Sequence, residues 1–369
     1  MLLNDQRKGR FRGALLRWYG RAHRAMPWRA APGGRANAYH VLVSEAMLQQ
    51  TQVATVIDYF RRFVARFPTL ADLAAADEQD VLRLWQGLGY YRRARNLHRA
   101  ARLIVEQHGG RVPDTAETLR KLPGVGRYTA GAIASIAFGR REPLVDGNVA
   151  RVLARLFAID SPIDDPATRD RLWVIAAALA PDRKHHPGDF NQAMMELGAT
   201  VCLPRGPRCA QCPVRRYCAA HAAGRTEELP IASARRKPTA VRHHIFAIER
   251  DGRFLFRQRG DEGLWAGLWE MPTWEKPETR NSKPLMESEL GITIGEAQRI
   301  GRFTHVTTHR LITFELHVAQ ATGGRLRRGA GRWRRLDDVD DLPLANPQRR
   351  AITMLQARDA PSPRRSRSR

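Results

Sequence analysis

Four cysteines in one short run constrain this chain more than any other feature. Cys202, Cys209, Cys212 and Cys218 follow the spacing C-x6-C-x2-C-x5-C, and the sequence contains no other cysteine. Thiolates gathered this closely usually hold a metal. The usual zinc pattern pairs two short C-x2-4-C units, and this run does not match it. The spacing therefore predicts a metal site and leaves the metal to be identified from the rest of the chain.

No segment of the sequence is typical of a membrane protein or an exported protein. The hydrophobic fraction is 43%, no apolar run is long enough to span a bilayer, and the opening MLLNDQRKGRFRG lacks a signal-peptide core. We therefore expect a cytoplasmic protein, associated with the nucleoid if the source is bacterial. In that reducing compartment cysteines bind metals more often than they form disulfides. The 369 residues suffice for two or more domains.

The net charge of the chain is strongly positive, at +25. Some of the excess lies in the last residues, and we expect 359–369 to be a disordered basic tail. Arginines also recur inside segments that look ordered, such as 91–95. The alternative is that the charge is a solubility feature or a basic tail, but the arginines in ordered-looking segments favour a nucleic acid as the partner.

The periodicity of apolar residues changes along the chain. Helical spacing dominates residues 1–222, for example over 91–107 and 147–157. Residues 223–240 mix Gly, Pro, Ser and charge, which is typical of a linker. From 241 to 358 the period approaches two, with an Asp251-Gly252 hairpin turn, further strands at 298–306 and 309–319, and a helix at 346–357. The fold class is therefore multi-domain, with an all-α module followed by a smaller α+β module.

The segment Leu122–Ala130 reads Leu-Pro-Gly-Val-Gly-Arg-Tyr-Thr-Ala between two helical stretches. Its glycines permit a tight turn and would present the backbone amides of Gly124, Val125 and Gly126 to a DNA phosphate at a helix N-terminus. The alternative is an ordinary turn between two helices. The charge of the chain favours the phosphate-binding interpretation.

Two carboxyl groups have the pattern of an acid and a stabilising base. Glu45 has Val41, Leu42 and Leu48 as neighbours on its helix face, so we expect a buried carboxyl whose pKa is raised. Asp146 directly precedes a helix, where N–H groups would favour its ionised form. A glycosidic bond can be cleaved by such a pair. The alternatives are a solvated or paired Glu45 and an Asp146 that only caps its helix.

These motifs and the cysteine run, in this order, closely resemble the helix-hairpin-helix DNA glycosylases that carry a [4Fe–4S] cluster, and within them the MutY-type adenine DNA glycosylases. The resemblance covers about 10–350. Its most specific parts are SEAMLQQTQV, GLGYYRRARNL, LPGVGRYTAGAIAS, VDGNVARVLARL, NQAMMELGA and the four cysteines. It implies a six-helix barrel over about 30–140 with the helix-hairpin-helix at 115–137. It also implies an iron–sulfur part formed by the N-terminal segment with 141–222, and the cysteines as cluster ligands.

The resemblance also assigns roles to single residues. The lyase branch of the superfamily has a lysine at position 128, where this chain has Tyr128, so the reaction would be simple hydrolysis. Glu45 would protonate adenine at N7, and Asp146 would stabilise the sugar cation, with Asn148 and Tyr128 beside it. The residues implied to bind the flipped adenine or the opened duplex are Trp28, Arg29, Glu196, Gln50, Thr51, Leu88 and Tyr90.

The C-terminal module resembles the MutT-like (Nudix-fold) domain that reads 8-oxoguanine in this family. Phe303, Thr304 and His305 match the reading loop, with Thr304 in place of the usual serine. The glutamate-rich Nudix box survives only in fragments at 285–291, so we expect no pyrophosphatase activity. The loop over 30–37 is longer and richer in glycine than is usual in the family, which affects the placement of Trp28 and Arg29.

The resemblance implies a monomer acting on duplex DNA that contains an adenine mispaired with 8-oxoguanine or guanine. Two alternatives remain at this point. One is a glycosylase and lyase of the endonuclease III type, acting on oxidised pyrimidines. The other is a DNA-binding protein without catalytic activity, in which the cysteines hold zinc.

Overall fold

The computed structural model describes residues 3–30, 34–182, 185–232, 238–275 and 282–359. It divides into two compact units, Met1–Ala76 with Arg93–Arg235 and Asp77–Arg92 with Arg236–Arg369. Parts of the predicted linker (233–237), of the 30–37 loop (31–33) and of the basic tail (360–369) lie outside the described residues. No helix in the described ranges is long and apolar enough to cross a bilayer.

The N-terminal two-thirds of the chain is helical, as its periodicity predicts. The helices are α1 Asp5–Ala22, α2 Ala38–Leu48, α3 Val53–Arg66, α4 Leu70–Ala75, α5 Glu78–Trp85, α6 Arg92–His108, α7 Ala116–Leu119, α8 Arg127–Phe138, α9 Gly147–Leu156, α10 Pro166–Leu179, α11 Pro187–Thr200 and α12 Ala219–Ala222. Helices α6 and α9 confirm the helices predicted at 91–107 and 147–157. Helix α5 belongs to the second unit, and the others lie wholly or mainly in the first.

Local signals fix the helix ends that matter for the site. Asn37 accepts bonds from the amides of Tyr39 and His40 and so starts α2, while Asp146 starts α9 by accepting from the amide of Val149. Gly139 ends α8 in the left-handed conformation. Apolar faces of α1, α9, α10 and α11 then pack into one core around buried residues such as Phe11 and Leu153.

Close packing between helices depends on small residues at the crossings. A Cβ on Gly198 of α11 would lie 2.7 Å from Cβ of Asn148 on α9, and a Cβ on Gly188 would lie 2.6 Å from the carbonyl oxygen of Ser135 on α8. Both separations are shorter than side-chain atoms tolerate. These glycines therefore let α11 approach α9 and α8 closely enough for all three helices to line one cavity.

The second unit is built on an eight-stranded mixed sheet. Its strands are β1 Thr239–Arg250, β2 Arg253–Gln258, β3 Trp269–Glu270, β4 Thr273–Trp274, β5 Ile292–Ile294, β6 Gln298–Val306, β7 Arg310–Gly324 and β8 Arg332–Arg334. The central order is β3-β2-β1-β7-β5, with β4 on β1, β6 on β7 and β8 on β2. Strands β1 and β7 run parallel, and the other pairs are antiparallel.

One helix covers each face of this sheet. Helix α13 (Ser282–Leu290) packs Met286 and Leu290 against Phe246 and Ile248, whereas helix α14 (Asn346–Asp359) packs on the opposite face. The Asp251-Gly252 turn between β1 and β2 has positive φ at both residues, as its sequence predicts. The predicted strands at 298–306 and 309–319 and the helix at 346–357 are confirmed by β6, β7 and α14.

Candidate active site

A single cavity in the first unit brings together most of the side chains predicted for catalysis and base binding. Its volume is about 680 Å³, and α2, α8, α9 and α11 each contribute to its wall. The predicted residues that line it are Trp28, Arg29, Glu45, Gln50, Thr51, Tyr128, Asp146, Asn148 and Glu196. These residues are up to 168 positions apart in sequence (28 to 196), so only the helix packing brings them together.

Glu45 lies on α2 and is only 5% exposed. Burial raises the pKa of Glu45 to about 7, and the negative charge of Asp146 adds to the rise, while a hydrogen bond with Tyr128 and the charge of Arg29 oppose it. One carboxyl oxygen, Oε2, has no hydrogen-bond partner among the described residues. The predicted burial and raised pKa are confirmed. The group can therefore hold a proton near neutral pH and present it to a base in the cavity.

Tyr128 lies in the first turn of α8, beside Glu45. Desolvation and the nearby carboxyl groups raise the pKa of Tyr128 well above its usual value, so the phenol stays neutral. Its hydroxyl donates to Sδ of Met195 at 3.3 Å and also helps to lower the pKa of Glu45. No lysine lines the cavity among the described residues. A neutral phenol at this position can orient Glu45 but cannot form a Schiff base.

Asp146 is held at the N-terminus of α9 by two hydrogen bonds. Its Oδ1 accepts from the amide of Val149 at 2.6 Å, and its Oδ2 accepts from Nδ2 of Asn148 at 3.1 Å. Burial raises the pKa of Asp146, and these bonds with the charge of Arg151 lower it, leaving a net rise. The N–H groups favour the ionised form as the sequence predicts, but desolvation in the cavity is the larger effect.

Glu196 on α11 is fully buried and paired with two arginines. Arg24 contacts Oε1 at 2.6 Å, and Arg29 contacts Oε2 at 3.0 Å. Burial alone would raise the pKa of Glu196, but the hydrogen bond from Arg24 and the charges of Arg29 and Arg24 outweigh it and the net pKa is lowered. Trp28, which also lines the cavity, packs edge-on against Phe60 with ring centroids 5.2 Å apart. The Glu196 carboxylate therefore serves as a fixed anion and hydrogen-bond acceptor.

The loop after α2 is held by an arginine that was not among the predicted site residues. Nη1 of Arg93 donates to the carbonyl oxygens of Ala46, Met47 and Gln49, and its Nη2 contacts Oγ1 of Thr51 at 3.2 Å. A cation at the C-terminal end of a helix is favourable. Gln50 follows in a left-handed conformation, with φ of 58°, and is exposed. Arg93 thus fixes the loop that presents Gln50.

The other predicted duplex-opening residues, Leu88 and Tyr90, belong to the second unit. Leu88 is buried, whereas Tyr90 is 48% exposed and has a positive φ of 49°. A strained backbone conformation with an exposed aromatic ring suits a side chain that inserts between bases. Leu88 instead serves packing in this structure, so exposure separates the two candidates.

The predicted helix-hairpin-helix is formed by α7 and α8 and the turn between them. Gly124 adopts a positive φ of 78°, and Gly126 is the N-cap of α8. Both glycines are exposed. The amide of Val125 donates to the carbonyl oxygen of Leu122 at 3.1 Å, and Val125 is buried. The turn itself therefore uses the amide of Val125, and phosphate binding by Gly124, Val125 and Gly126 stays a prediction.

The predicted 8-oxoguanine readers lie on β6, where successive side chains point to opposite faces. Phe303 is 5% exposed and stacks on Phe314 at 5.2 Å. His305 lies on the same face beside Trp265, and burial together with the charge of Arg350 lowers the pKa of His305. Thr304 is exposed on the other face. The three side chains therefore do not share one face of the strand, and Thr304 is the most accessible of them.

The four cysteines lie between α11 and α12 and form no disulfide. A zinc ion with sulfur ligands at about 2.3 Å would bring its sulfurs within about 4 Å of one another. In the described structure no three of these sulfurs lie within 4.8 Å of one another. Nη1 of buried Arg155 contacts Sγ of Cys202 at 3.2 Å, a bond that suits a thiolate. The donor set fits a polynuclear cluster better than a single zinc ion.

Several cavity residues escaped prediction from sequence. Arg24 pairs with Glu196 across 172 positions, and no local pattern marks such a contact. Arg151 donates from Nη2 to Oδ1 of Asn148 at 2.9 Å and to the carbonyl oxygen of Gly198 at 2.7 Å. The i, i+3 spacing of Arg151 from Asn148 on α9 is the one signal that could have revealed it.

Comparison with known proteins assigns a class to this arrangement. A family model described as HhH-GPD superfamily base excision DNA repair protein matches residues 43–177, and a NUDIX domain model matches 243–354. A solved thermostable thymine-DNA glycosylase is 29% identical with a TM-score of 0.53, covering 59% of this chain and 98% of its own. The class is thus a helix-hairpin-helix base-excision repair glycosylase joined to a Nudix-type domain.

Curated relatives narrow the class to one family. The human adenine DNA glycosylase is 41% identical over 83% of this chain and 66% of its own length. The mouse adenine DNA glycosylase is 38% identical over 94% and 78%, and that of Buchnera aphidicola subsp. Acyrthosiphon pisum is 32% identical over 84% and 85%. The chain belongs to the adenine DNA glycosylase family.

Proposed function

We propose that this chain removes adenine opposite 8-oxoguanine or guanine in duplex DNA by hydrolysis and leaves an abasic site. The observation that supports it most directly is the pairing of Glu45 and Asp146 in one cavity. Glu45 has a pKa raised to about 7 and an oxygen without a protein partner, and Asp146 is anchored at a helix N-terminus. One group can donate a proton while the other stabilises positive charge.

The proposed reaction follows from these roles. The flipped adenine takes a proton from Glu45 at N7, and the bond between the sugar and N9 breaks with its electron pair moving to the base. The resulting sugar cation is stabilised by Asp146, which is oriented by Asn148 and Val149. A water molecule adds to the cation and loses its proton to the carboxylate of Asp146. Glu196, Trp28 and the arginines that hold Glu196 would orient the base.

The monofunctional reaction is favoured over the lyase alternative by the residues around Asp146. Tyr128 occupies the position of the lyase lysine, and the cavity wall has no lysine among the described residues. Borohydride trapping with an adenine mispair or with oxidised pyrimidines should therefore give no covalent adduct. A trapped adduct in stoichiometric yield would contradict hydrolysis without strand cleavage.

The catalytic roles are tested by single-turnover excision on a duplex containing adenine opposite 8-oxoguanine. Asp146→Asn should lower the excision rate by a factor on the order of a thousand, because a neutral amide cannot offset the sugar cation. Asp114→Asn, a half-exposed aspartate paired with Arg140, is the matched control and should leave the rate unchanged. A rate for Asp146→Asn within about tenfold of the unmodified chain would rule out the role given to Asp146.

We propose that Cys202, Cys209, Cys212 and Cys218 hold a [4Fe–4S] cluster, as the sulfur spacing and the Arg155 contact support. The cluster would stabilise the loop from Cys202 to Cys218, whose exposed Arg205, Arg215 and Arg216 could then contact DNA phosphates. A brown protein with about four irons per chain is expected. A colourless protein containing zinc alone would favour the DNA-binding module without catalytic activity.

The second unit is proposed to recognise the base opposite adenine and to lack pyrophosphatase activity. Two glutamates of the Nudix-box fragment are engaged elsewhere: Glu287 accepts from the amide of Ile294 at 2.7 Å, and Glu289 pairs with Arg257 at 3.0 Å. Magnesium-dependent hydrolysis of nucleoside triphosphates by the purified chain would contradict this. We further propose that the protein acts on DNA as a cytoplasmic monomer, which light scattering of the free and DNA-bound protein would test.

A further inference from the structure

Two histidines and a glutamate that are not among the predicted site residues meet on the sheet of the second unit. His244 lies on β1, while Glu315 and His317 lie on β7. In the parallel ladder His244 pairs with Glu315, and Phe246 pairs with His317. Because alternate residues of a strand share a face, all three side chains project from the face of the sheet that α13 covers.

Their ligand atoms are spaced as one metal ion requires. Nδ1 of His244 lies 3.1 Å from Nε2 of His317, and Oε2 of Glu315 lies 3.8 Å from the first and 4.0 Å from the second. The circle through the corners of that triangle has a radius of about 2.1 Å, which matches zinc–nitrogen and zinc–carboxylate bond lengths. An ion at its centre would reach all three atoms with almost no movement of the protein.

The rings that would supply the nitrogen ligands are held in place by stacking. His317 lies between Phe246 and His244, with centroids 5.0 and 5.3 Å away and interplanar angles of 15° and 23°. The side chains of His244, Glu315 and His317 are each at most 15% exposed. A buried imidazole with a fixed ring plane has little conformational freedom to lose when it binds a metal.

The two oxygens of Glu315 face different groups. Arg242 and Arg299 each approach Oε1 at 3.9 Å, whereas Oε2 faces the imidazoles. Burial is the largest cause that lowers the pKa of His317, followed by the charge of His244. The imidazole is therefore predominantly neutral at neutral pH and has a lone pair available for a cation. The two arginines oppose cation binding and would make the site weaker than one without them.

We propose that His244, Glu315 and His317 bind a divalent transition-metal ion of the zinc class. Imidazole and carboxylate are ligands that suit zinc, and three protein ligands leave a fourth position for water. The bound ion would tie β1 to β7 at the centre of the sheet. The alternative is a hydrogen bond between the two imidazoles, with Glu315 as a nearby charge. The site is independent of the proposed glycosylase reaction, so either can fail without the other.

Metal content of the full chain tests the site. The cluster-loaded protein is freed of loosely bound metal with a chelator and dialysed against buffered micromolar zinc, and zinc and iron are then measured in the same sample. We expect about one zinc per chain with unchanged iron. His317→Gln and Glu315→Gln should each weaken zinc binding by about tenfold or more. His309→Gln, an exposed histidine just before β7, is the matched control and should bind like the unmodified chain.

Cobalt provides a second readout that does not depend on a variant folding. Cobalt added to the unmodified chain should give visible bands in the difference spectrum against the cluster background, and zinc should abolish them. Zinc should also raise the melting temperature of the unmodified chain and of His309→Gln, but not of His317→Gln. Zinc uptake that is absent in the unmodified chain, or equal in His317→Gln with equal iron, would overturn the proposal.

Discussion

Glu45 and Glu196 line the same cavity, yet the pKa of one is raised and that of the other is lowered. Burial favours the neutral form of both. Glu45 has apolar neighbours on its helix and no ion pair with any residue that the structure describes, so burial dominates and the pKa rises to about 7. Glu196 accepts from Arg24 and Arg29, and these cations reverse the effect. The cavity thus contains one carboxyl suited to donate a proton and one that stays ionised.

The first prediction concerns the pH dependence of excision. Glu45 must be protonated to act as the acid, so the single-turnover rate should fall by about tenfold per pH unit above the pKa of about 7. Glu45→Gln should reduce excision to background at every pH, while duplex affinity changes little. Glu106→Gln, at an exposed position on α6, is the control. A normal rate for Glu45→Gln would show that Glu45 is a buried residue without a catalytic role.

The same carboxyl group should make the protein less stable at neutral pH than at pH 4.5. Its pKa is higher in the folded state than the ordinary value of 4.5, so the folded chain binds more protons between pH 4.5 and about 7. The free energy of unfolding should fall across that range by on the order of 3 kcal/mol. Above pH 7, Glu45→Gln should therefore unfold at higher denaturant concentration than the unmodified chain. Identical midpoints for the two at pH 8 would contradict the raised pKa.

The ionised carboxylate of Glu196, in contrast to that of Glu45, should stabilise the folded protein. Glu196→Gln leaves Arg24 and Arg29 without their anion, and the side chain of Arg29 is only 9% exposed. Removing one partner of a buried pair costs about 3 kcal/mol, so the midpoint of urea denaturation should drop. Glu106→Gln is again the matched change at an exposed site. Equal midpoints for both variants would show that the arginines find other partners at no cost.

Alanine substitutions at two glycines distinguish the cost of backbone strain from the cost of a steric clash in the hairpin. Gly124 and Gly110 both have positive φ, of 78° and 74°. A Cβ on Gly124 would lie 2.8 Å from Cβ of Asn96, while Gly110 has nothing within 4 Å. Gly124→Ala should therefore cost about 1–3 kcal/mol more than Gly110→Ala in unfolding experiments. It should also weaken duplex binding, measured at fixed salt because affinity depends on released counterions.

Thr304 is expected to set the preference for the opposite base. It is the exposed member of the β6 triplet, so Thr304→Ala should reduce the ratio of excision rates for adenine opposite 8-oxoguanine against adenine opposite guanine by about tenfold. Thr322→Ala, at an exposed threonine on β7, is the control. Unchanged ratios in both variants would show that another part of the second unit recognises the opposite base.

The sequence predicted the elements well because short-range signals define them. Alternating apolar residues and an Asp-Gly pair marked β1 and β2, and Asn346-Pro347 marked the start of α14. The chemistry of Glu45 was also visible, since its apolar neighbours lie on the same helix turn. The sequence did not reveal how the surrounding structure uses two of the predicted site residues. The amide of Val125 is consumed by the turn, and Phe303 is buried in the sheet core.

The sequence by itself determined the order of the motifs, the helical and strand segments, and the residue types of the acid, the stabilising carboxylate and the thiolate run. Only the tertiary structure decided which of these residues share a cavity, and what their charges are there. The Arg24–Glu196 pair and the His244–Glu315–His317 cluster depend on contacts across 172 and 73 positions. Periodicity reports which face of an element is apolar. It does not report which distant side chain will lie opposite, because helix crossing and strand register set that.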